Sequence, residues 1–279
     1  MKKLNRFYLF VLIVTLSGFA LPKKELKITY VANCGFIYQS GTSKVLIDPF
    51  GTEFGNFFYL ASTVTTENIV KGNIPFDKID LLLITHIHGD HFNASLAERF
   101  LLNNRKAKMI CPSQVYRQMQ DTCSRFAEIK SQIMSPDLAI NASKQLKVNG
   151  ISVTAIRMQH GTNRSLDGVS TSEYSDYEKT ENLGYVIRFD KKKIFHQGDA
   201  CLKINEKALK NIEGPIDIAH LGFFDWDSTS VGLLKKELRA EKIIFMHGTK
   251  PAKELEQETF KKITNHLLFF SKELESHSF

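Results

Sequence analysis

The sequence lacks the features that would divide it into several parts. Its 279 residues contain no internal repeat, no low-complexity tract and no linker, and a chain of this length suits one large α/β domain. Cysteine is scarce, with four residues at positions 34, 111, 123 and 201. A domain of this size does not need disulfides for stability, and the pairing of these cysteines cannot be read from the sequence.

The chain also lacks a strong excess of charge of one sign. Its formal net charge is +7 at pH 7, and three of these charges, Lys2, Lys3 and Arg6, lie before residue 20. Without those three the rest of the chain carries +4, which is too small a charge to indicate a nucleic-acid partner. We therefore expect a small-molecule substrate and no nucleic acid.

The apolar run at the N-terminus is short for a membrane span. It extends from Phe7 to Leu16 behind the basic residues, and Gly18 and Ala20 are small enough for a signal-peptidase site. Residues 1–20 are therefore predicted to be a signal peptide and residues 21–279 the mature domain, which would be periplasmic or secreted. The alternative is an uncleaved N-terminal anchor, the only membrane contact that we expect. A lipoprotein anchor is not indicated, because no cysteine lies near residue 20.

Apolar and turn residues alternate in a way that predicts layered α/β structure. Hairpin strands are expected at residues 26–38 and 44–48, at 145–148 and 151–158 around Asn149-Gly150, and at 183–189 and 193–196. Further buried strands are predicted at residues 79–85, 108–111, 216–219 and 243–246. Helices are predicted after Asn93, over residues 231–238 behind Ser228-Thr229-Ser230, and over the tail from Phe260 to Leu274, whose apolar residues recur every three or four positions.

The strongest signal for chemistry is the segment His86-Ile87-His88-Gly89-Asp90-His91, directly after the predicted strand 79–85. Three imidazoles and a carboxylate within six residues are rarely needed for packing, and all are typical metal ligands. On a loop that leaves a strand, His86 and His88 can point toward one centre while Asp90 and His91 point toward another. One segment can thus serve two ions.

Three further candidate ligands, His160, Asp199 and His247, also follow predicted strands. Ligands gathered at one edge of a sheet would complete two coordination spheres. His220 stands at the end of the predicted strand 216–219 and is a candidate for contact with the substrate or with a ligand. Cys201, two residues beyond Asp199, is expected to be a buried thiol or half-cystine rather than a ligand.

The pattern H-x-H-x-D-H, followed by spaced His, Asp and His, resembles the metallo-β-lactamase superfamily over roughly residues 26–247. The resemblance implies the four-layer αβ/βα sandwich of that superfamily and a site for two divalent metal ions. The implied ligands are His86, His88 and His160 for the first ion and Asp90, His91 and His247 for the second, with Asp199 bridging. Asp48, in Leu46-Ile47-Asp48-Pro49, matches an aspartate that supports the metal loop without binding metal.

Two details refine the resemblance. The segments Ala32-Asn33-Cys34-Gly35-Phe36 and Leu46-Ile47-Asp48-Pro49 are most similar to the branch that contains ascorbate-phosphate lactonase and other broad hydrolases. Many true β-lactamases of this fold carry a cysteine ligand where this chain has Asp199, which disfavours antibiotic hydrolysis.

These residues indicate a dinuclear metal-dependent hydrolase. Two Lewis acids lower the pKa of bound water, so a metal-bound hydroxide could attack an ester, lactone, amide or phosphodiester. Asp90 is the expected catalytic residue, since it could orient that hydroxide or take a proton. Zinc is the first expectation, and the same ligand set would accept manganese or iron. The alternatives are a non-catalytic metal-binding protein of the same fold, and a phosphodiesterase or nuclease of the same fold.

Two segments near the expected site leave their roles open. Residues 161–182 are rich in Ser, Thr, Asn and Asp, which favours either a lid over the site or an insertion without a role. The aromatic residues between Phe50 and Tyr59 could line an apolar pocket or pack their loop onto the core.

Overall fold

The computed structural model describes residues 25–161, 179–248 and 267–279. It begins with three antiparallel strands, β1 (Leu26–Ala32), β2 (Gly35–Ser40) and β3 (Ser43–Ile47). The prediction of one strand over residues 26–38 is wrong, because the chain reverses at Asn33 and Cys34. Asn33 has a left-handed backbone with φ 47°, which asparagine tolerates better than most residues. The apolar residues on both sides of the turn concealed it.

The first of two mixed sheets is completed by β4 (Leu81–Leu83), β5 (Lys108–Ile110), β6 (Ile133–Met134) and β14 (Ser276–Ser278). Its strand order is β14-β1-β2-β3-β4-β5-β6. The pairs from β14 to β3 are antiparallel and those from β3 to β6 are parallel. Because β3, β4 and β5 run in the same direction, their carboxyl ends meet at one edge of the sheet.

The second sheet contains the two other predicted hairpins. Its strands are β7 (Ser143–Val148), β8 (Ile151–Gln159), β9 (Glu181–Phe189), β10 (Lys192–His196), β11 (Ile218–Leu221), β12 (Lys242–Phe245) and β13 (Leu267–Leu268). The order is β13-β12-β11-β10-β9-β8-β7, antiparallel from β7 to β10 and parallel from β10 to β13. Asn149 and Gly150 form the predicted two-residue turn, both with positive φ.

Helices cover the outer face of each sheet. The described helices are α1 (Thr63–Lys71), α2 (Ala94–Asn103), α3 (Ser113–Thr122), α4 (Phe126–Ile129), α5 (Glu206–Lys210) and α6 (Ser228–Glu237). Asn93 caps α2 as predicted, accepting from Leu96 N at 3.1 Å, whereas α6 is capped by Asp227 rather than by a residue of 228–230. Among the described helices, none is long and apolar enough to cross a bilayer.

Three buried clusters define the layers. Alternate residues of a strand face opposite sides of its sheet, so in β3 Leu46 packs with α1 and α2 while Val45 and Ile47 face the second sheet. The cluster that contains Val45 joins both sheets, and a third cluster joins the second sheet to α5 and α6. The resulting order of helices, sheet, sheet and helices confirms the predicted four-layer αβ/βα sandwich.

The predicted C-terminal helix is wrong where the structure describes it. Leu267 and Leu268 form β13 on the edge of β12, and residues 276–278 form β14 on the edge of β1. Leu274 has φ 62°, which is incompatible with a helix. The unpaired edges of β12 and β1 offer hydrogen bonds that outweigh the local apolar spacing. Phe260 and Ile263, the first two positions of that prediction, lie outside the described residues.

Candidate metal centre

The parallel strands β3 and β4 end side by side and place Asp48 beneath the loop of His86 to His91. Oδ1 of Asp48 accepts a hydrogen bond from Thr85 N at 2.8 Å, and Oδ2 accepts from Thr85 Oγ1 and from His91 Nδ1 at 2.9 Å. All three side chains are buried. Because Nδ1 of His91 donates to Asp48, its Nε2 is left facing the cluster of candidate ligands. Asp48 therefore supports this loop as predicted.

Three imidazoles form the first group of candidate ligands. One ring nitrogen each of His86, His88 and His160 lies within 4.8 Å of the others. His160 follows β8, and its Nδ1 donates to the carbonyl of Gly161 at 2.5 Å, which directs Nε2 toward the group. His88 is the most exposed of the three, and its Nε2 lies 3.3 Å from Thr180 Oγ1. The three residues predicted for a first ion are thus adjacent.

The second group lies beside the first and combines imidazoles with a carboxylate. Asp90 Oδ2 lies 3.4 Å from His91 Nε2 and 3.1 Å from His247 Nε2. His247 follows β12 and has a left-handed backbone with φ 64°. The three residues predicted for a second ion are therefore also adjacent.

Asp199 lies between the two groups. Its Oδ1 is 3.3 Å from His91 Nε2, and its Oδ2 is 3.0 Å from His247 Nε2, 3.8 Å from His160 Nε2 and 3.9 Å from His86 Nε2. The backbone before it turns sharply at Gly198, which has φ 60° and abuts Thr85 and Asn182. One carboxylate thus contacts histidines of both groups.

Burial lowers the pKa values of these histidines, and the nearby carboxylates raise them. Burial lowers the pKa of His86 well below its ordinary value and that of His160 to about 4. Burial also opposes the charged form of His247, but the carboxylates of Asp199 and Asp90 prevail and raise its pKa to about 9. Burial likewise opposes the charged form of His91, and the same carboxylates again prevail and raise its pKa. The two groups therefore differ: the first is neutral, and the second is a cluster of opposite charges.

The buried donor atoms fit divalent metal ions. Among the described residues, His86 Nε2, His91 Nε2 and Asp199 Oδ1 are buried and have no hydrogen-bond partner, although such atoms are costly unless satisfied. A metal ion coordinated by these atoms would satisfy them. Imidazole nitrogens and carboxylate oxygens together suit zinc, manganese and iron.

Two residues that sequence reasoning assigned no role lie at the centre. The thiol of Cys34 is within 4.8 Å of candidate ligand atoms of His91, Asp199 and His247, and Asn33 donates to Asp90. The turn between β1 and β2 was not recognised in the sequence, so nothing indicated that these residues reach the centre. None of the four cysteines forms a disulfide.

His220 does not end its strand as predicted and is not accessible to a substrate. His220 lies within β11, which begins two residues later than predicted, and is fully buried. Its Nε2 is 3.0 Å from the hydroxyl oxygen Oη of Tyr38 in β2, so this contact joins the two sheets. Cys201 is buried beside Asp225, as a thiol and away from the candidate ligands.

A groove of about 670 Å³ opens beside His88. Its walls include Glu53, Phe54, Phe92 and Glu98. The aromatic residues between Phe50 and Tyr59 take both of the predicted roles. Phe50 packs in the core against Phe100, whereas Phe54 lines the groove. The ring centre of Phe58 lies 4.2 Å from that of His247. Residues 162–178, most of the segment for which either a lid or an insertion without a role was expected, lie outside the described residues.

Comparison with known proteins agrees with this architecture. Residues 43–247 match the profile of the β-lactamase superfamily domain, so the chain belongs to that superfamily. A UPF0173 metal-dependent hydrolase of Thermococcus onnurineus is 28% identical over 227 residues, which cover 80% of this chain and 85% of that protein. Together with the fold, the superfamily match and this relative identify the chain as a metal-dependent hydrolase.

Two solved structures share the fold. Igni18, a metallo hydrolase from Ignicoccus hospitalis, superposes with a TM-score of 0.61 at 19% identity, over 91% of this chain and 98% of Igni18. The metallo-β-lactamase fold protein YhfI from Bacillus subtilis gives a TM-score of 0.61 at 13% identity, over 92% of this chain and all of YhfI. The predicted metallo-β-lactamase fold is thus confirmed. The similarity to ascorbate-phosphate lactonase stays a prediction.

Proposed function

We propose that this chain is a dinuclear hydrolase whose ligands are the seven residues that the sequence pattern indicated. His86, His88 and His160 would hold one ion, and Asp90, His91 and His247 the other. The observation that carries the proposal is the position of Asp199, whose two oxygens lie close to histidines of both groups. A shared carboxylate also offsets charge that two sets of neutral imidazoles cannot.

When bound, two such ions activate water and polarise the bond to be cleaved. The residues of the chain then have distinct tasks. Asp48 fixes the tautomer of His91, and Asp90 lies where its carboxylate could receive a proton as the bond breaks. The described residues around the centre supply the metal ligands and the proton acceptor, so no serine or cysteine nucleophile is needed.

The groove beside His88 is the proposed substrate site. Its walls combine the phenyl rings of Phe54 and Phe92 with the carboxylates of Glu53 and Glu98. Like charges repel at short range, so an uncharged ester, lactone or amide is favoured over a phosphodiester. The same repulsion acts against nucleic acid, which makes the nuclease alternative less favourable.

Metal analysis combined with a substrate screen tests the proposal. We expect wild-type protein to retain two equivalents of divalent metal and to hydrolyse at least one member of a panel of chromogenic esters, lactones, amides and phosphodiesters. Asp199→Asn keeps the shape but loses the charge, and we expect it to retain at most one equivalent and to lose at least about 100-fold in turnover. The matched control is Asp121→Asn, an exposed aspartate of α3.

Each alternative has its own outcome. Metal retention with no turnover on any class of substrate would support the non-catalytic metal-binding protein. Wild-type protein that binds one ion only, or Asp199→Asn with full metal content and activity, would contradict the dinuclear site. Lactones with and without a phosphate group in the panel also test the similarity to ascorbate-phosphate lactonase.

A further inference from the structure

Asn33 lies in the two-residue turn between β1 and β2, against the second group of candidate ligands. It is 1% exposed, and its left-handed backbone turns its side chain and its carbonyl toward different neighbours. The side-chain nitrogen donates to the carbonyl of Asp90 at 3.1 Å and to its Oδ2 at 3.2 Å. The carbonyl oxygen of Asn33 accepts from His247 N at 3.2 Å.

The two residues that Asn33 contacts have no regular structure of their own to hold them. Asp90 lies in the loop after β4, and His247 follows β12 with a positive φ. Asp90 Oδ2 and His247 Nε2 are nonetheless 3.1 Å apart. Asn33 forms hydrogen bonds with both segments, and these bonds help to fix the position of Asp90 relative to His247.

The contact with Asp90 is compatible with a bound ion. A carboxylate oxygen has lone pairs for more than one partner, so Oδ2 can accept from the amide of Asn33 and still face a metal. Holding both the backbone and the carboxylate of Asp90 restricts the rotation of its side chain. A ligand whose orientation is fixed before the ion arrives loses less entropy on binding.

We propose that Asn33 is a positioning residue for the second metal site, acting through Asp90. This inference rests on the proposed dinuclear function. We expect its effect at that site, because the first group has supports of its own: Thr85 contacts His86, Thr180 contacts His88, and Gly161 contacts His160. Asp48 independently holds His91 in the second site.

The test is Asn33→Gly, which removes the amide but keeps the carbonyl that His247 contacts. Glycine adopts a positive φ without strain, so the turn is retained. The matched control is Asn149→Gly, because Asn149 also has a positive φ, 48°, and also donates to two carbonyls, those of Asp80 and Lys106. Asn33→Ser, whose side chain is one atom shorter, serves if the glycine variant does not fold.

Metal-free protein is titrated with Co²⁺ and followed by visible absorption and by chelator competition. We expect Asn33→Gly to bind the first equivalent as wild type does and the second equivalent about 10- to 100-fold more weakly, the range typical of lost contacts to a ligand. Asn149→Gly should match wild type at both steps. Thermal unfolding of the metal-free proteins checks that the folds are equivalent.

Two results would overturn the inference: an unchanged second step in Asn33→Gly, or equal weakening of both steps, which would indicate a general loss of structure. Failure of the proposed function is distinguishable, because wild-type protein itself would then bind fewer than two ions. In that case both the function and the role of Asn33 are wrong.

Discussion

Nδ1 of His91 donates a hydrogen bond to Oδ2 of Asp48 across 2.9 Å, and neither side chain is exposed to solvent. This contact joins the end of β3 to the loop after β4. It also decides which nitrogen of His91 faces Asp90 and Asp199. In the proposed centre, Asp48 does not bind the ion itself. It fixes the orientation of His91, which does bind the ion.

Asp48→Asn is predicted to weaken the second metal site by about 10- to 100-fold. The amide nitrogen can take the place of an acceptor oxygen, and His91 then loses the partner that fixes its tautomer. The free energy of unfolding of the metal-free protein should fall by about 1–3 kcal/mol, because a buried polar group loses its partner. Stepwise metal titration and urea unfolding measure both effects. Equal metal affinities in variant and wild type would contradict this role.

Gly198→Ala is predicted to displace Asp199 and to lower the affinity for both ions. A Cβ at this position would lie 2.4 Å from Asn182 Oδ1 and 2.7 Å from Thr85 Cβ, in a left-handed backbone. Gly150→Ala is the matched control, since Gly150 also has positive φ but no atom within 4 Å of the added carbon. The control should lose only about 1 kcal/mol of stability from backbone strain and keep both ions. Similar metal content in the two variants would be the contrary result.

Metal-free protein is predicted to lose stability between pH 6.5 and about pH 9. Burial lowers the pKa of His247, but Asp199 and Asp90 raise it from 6.5 to about 9 in the folded state. A group with a raised pKa stabilises fully below its unfolded value and loses that contribution as pH rises through its folded value. Urea unfolding of chelator-treated protein should show this decline, and His247→Asn should show a smaller one. Equal pH dependence in the two proteins would contradict the assignment.

Only Cys123 is predicted to react with an alkylating reagent in the folded protein. Cys34, Cys111 and Cys201 are buried, whereas Cys123 is partly exposed. Burial raises the pKa of Cys123 to about 11, so its reaction should be slow at neutral pH. Mass spectrometry should find one label before unfolding, four after unfolding, and none in native Cys123→Ser. A second label in the native protein, or a disulfide, would be inconsistent with the structure.

Export remains a prediction from residues 1–20, which lie outside the described part of the chain. N-terminal sequencing of protein secreted by a bacterial host should give Leu21 as the first residue. A product that keeps residues 1–20 and partitions with membranes would indicate the uncleaved anchor instead. Full-length protein in the soluble cytoplasmic fraction would contradict both.

The proposed ligands could be predicted because each of them follows a strand and because His86 to His91 are concentrated in six residues. The resemblance also indicated Asp48 as a supporting residue, but Asn33 and Cys34 could not be predicted. Apolar residues lie on both sides of Asn33 and Cys34, so the segment was interpreted as one strand, and the turn is evident from the backbone.

The remaining errors have the same origin in contacts between distant segments. β13 and β14 form because the edges of β12 and β1 are available, which the spacing of tail residues does not encode. His220 was misplaced by a shift of two residues in β11, enough to move it from the end of the strand into the contact with Tyr38. Local patterns predicted the elements, and pairing between distant segments decided these details.

Anomalous diffraction from crystals of the zinc-loaded protein tests the central claim most directly. Two peaks are predicted, about 3.5–4 Å apart as in other two-metal sites, each within bonding distance of an oxygen of Asp199. A single peak, or two peaks of which either is out of reach of Asp199, would contradict the account.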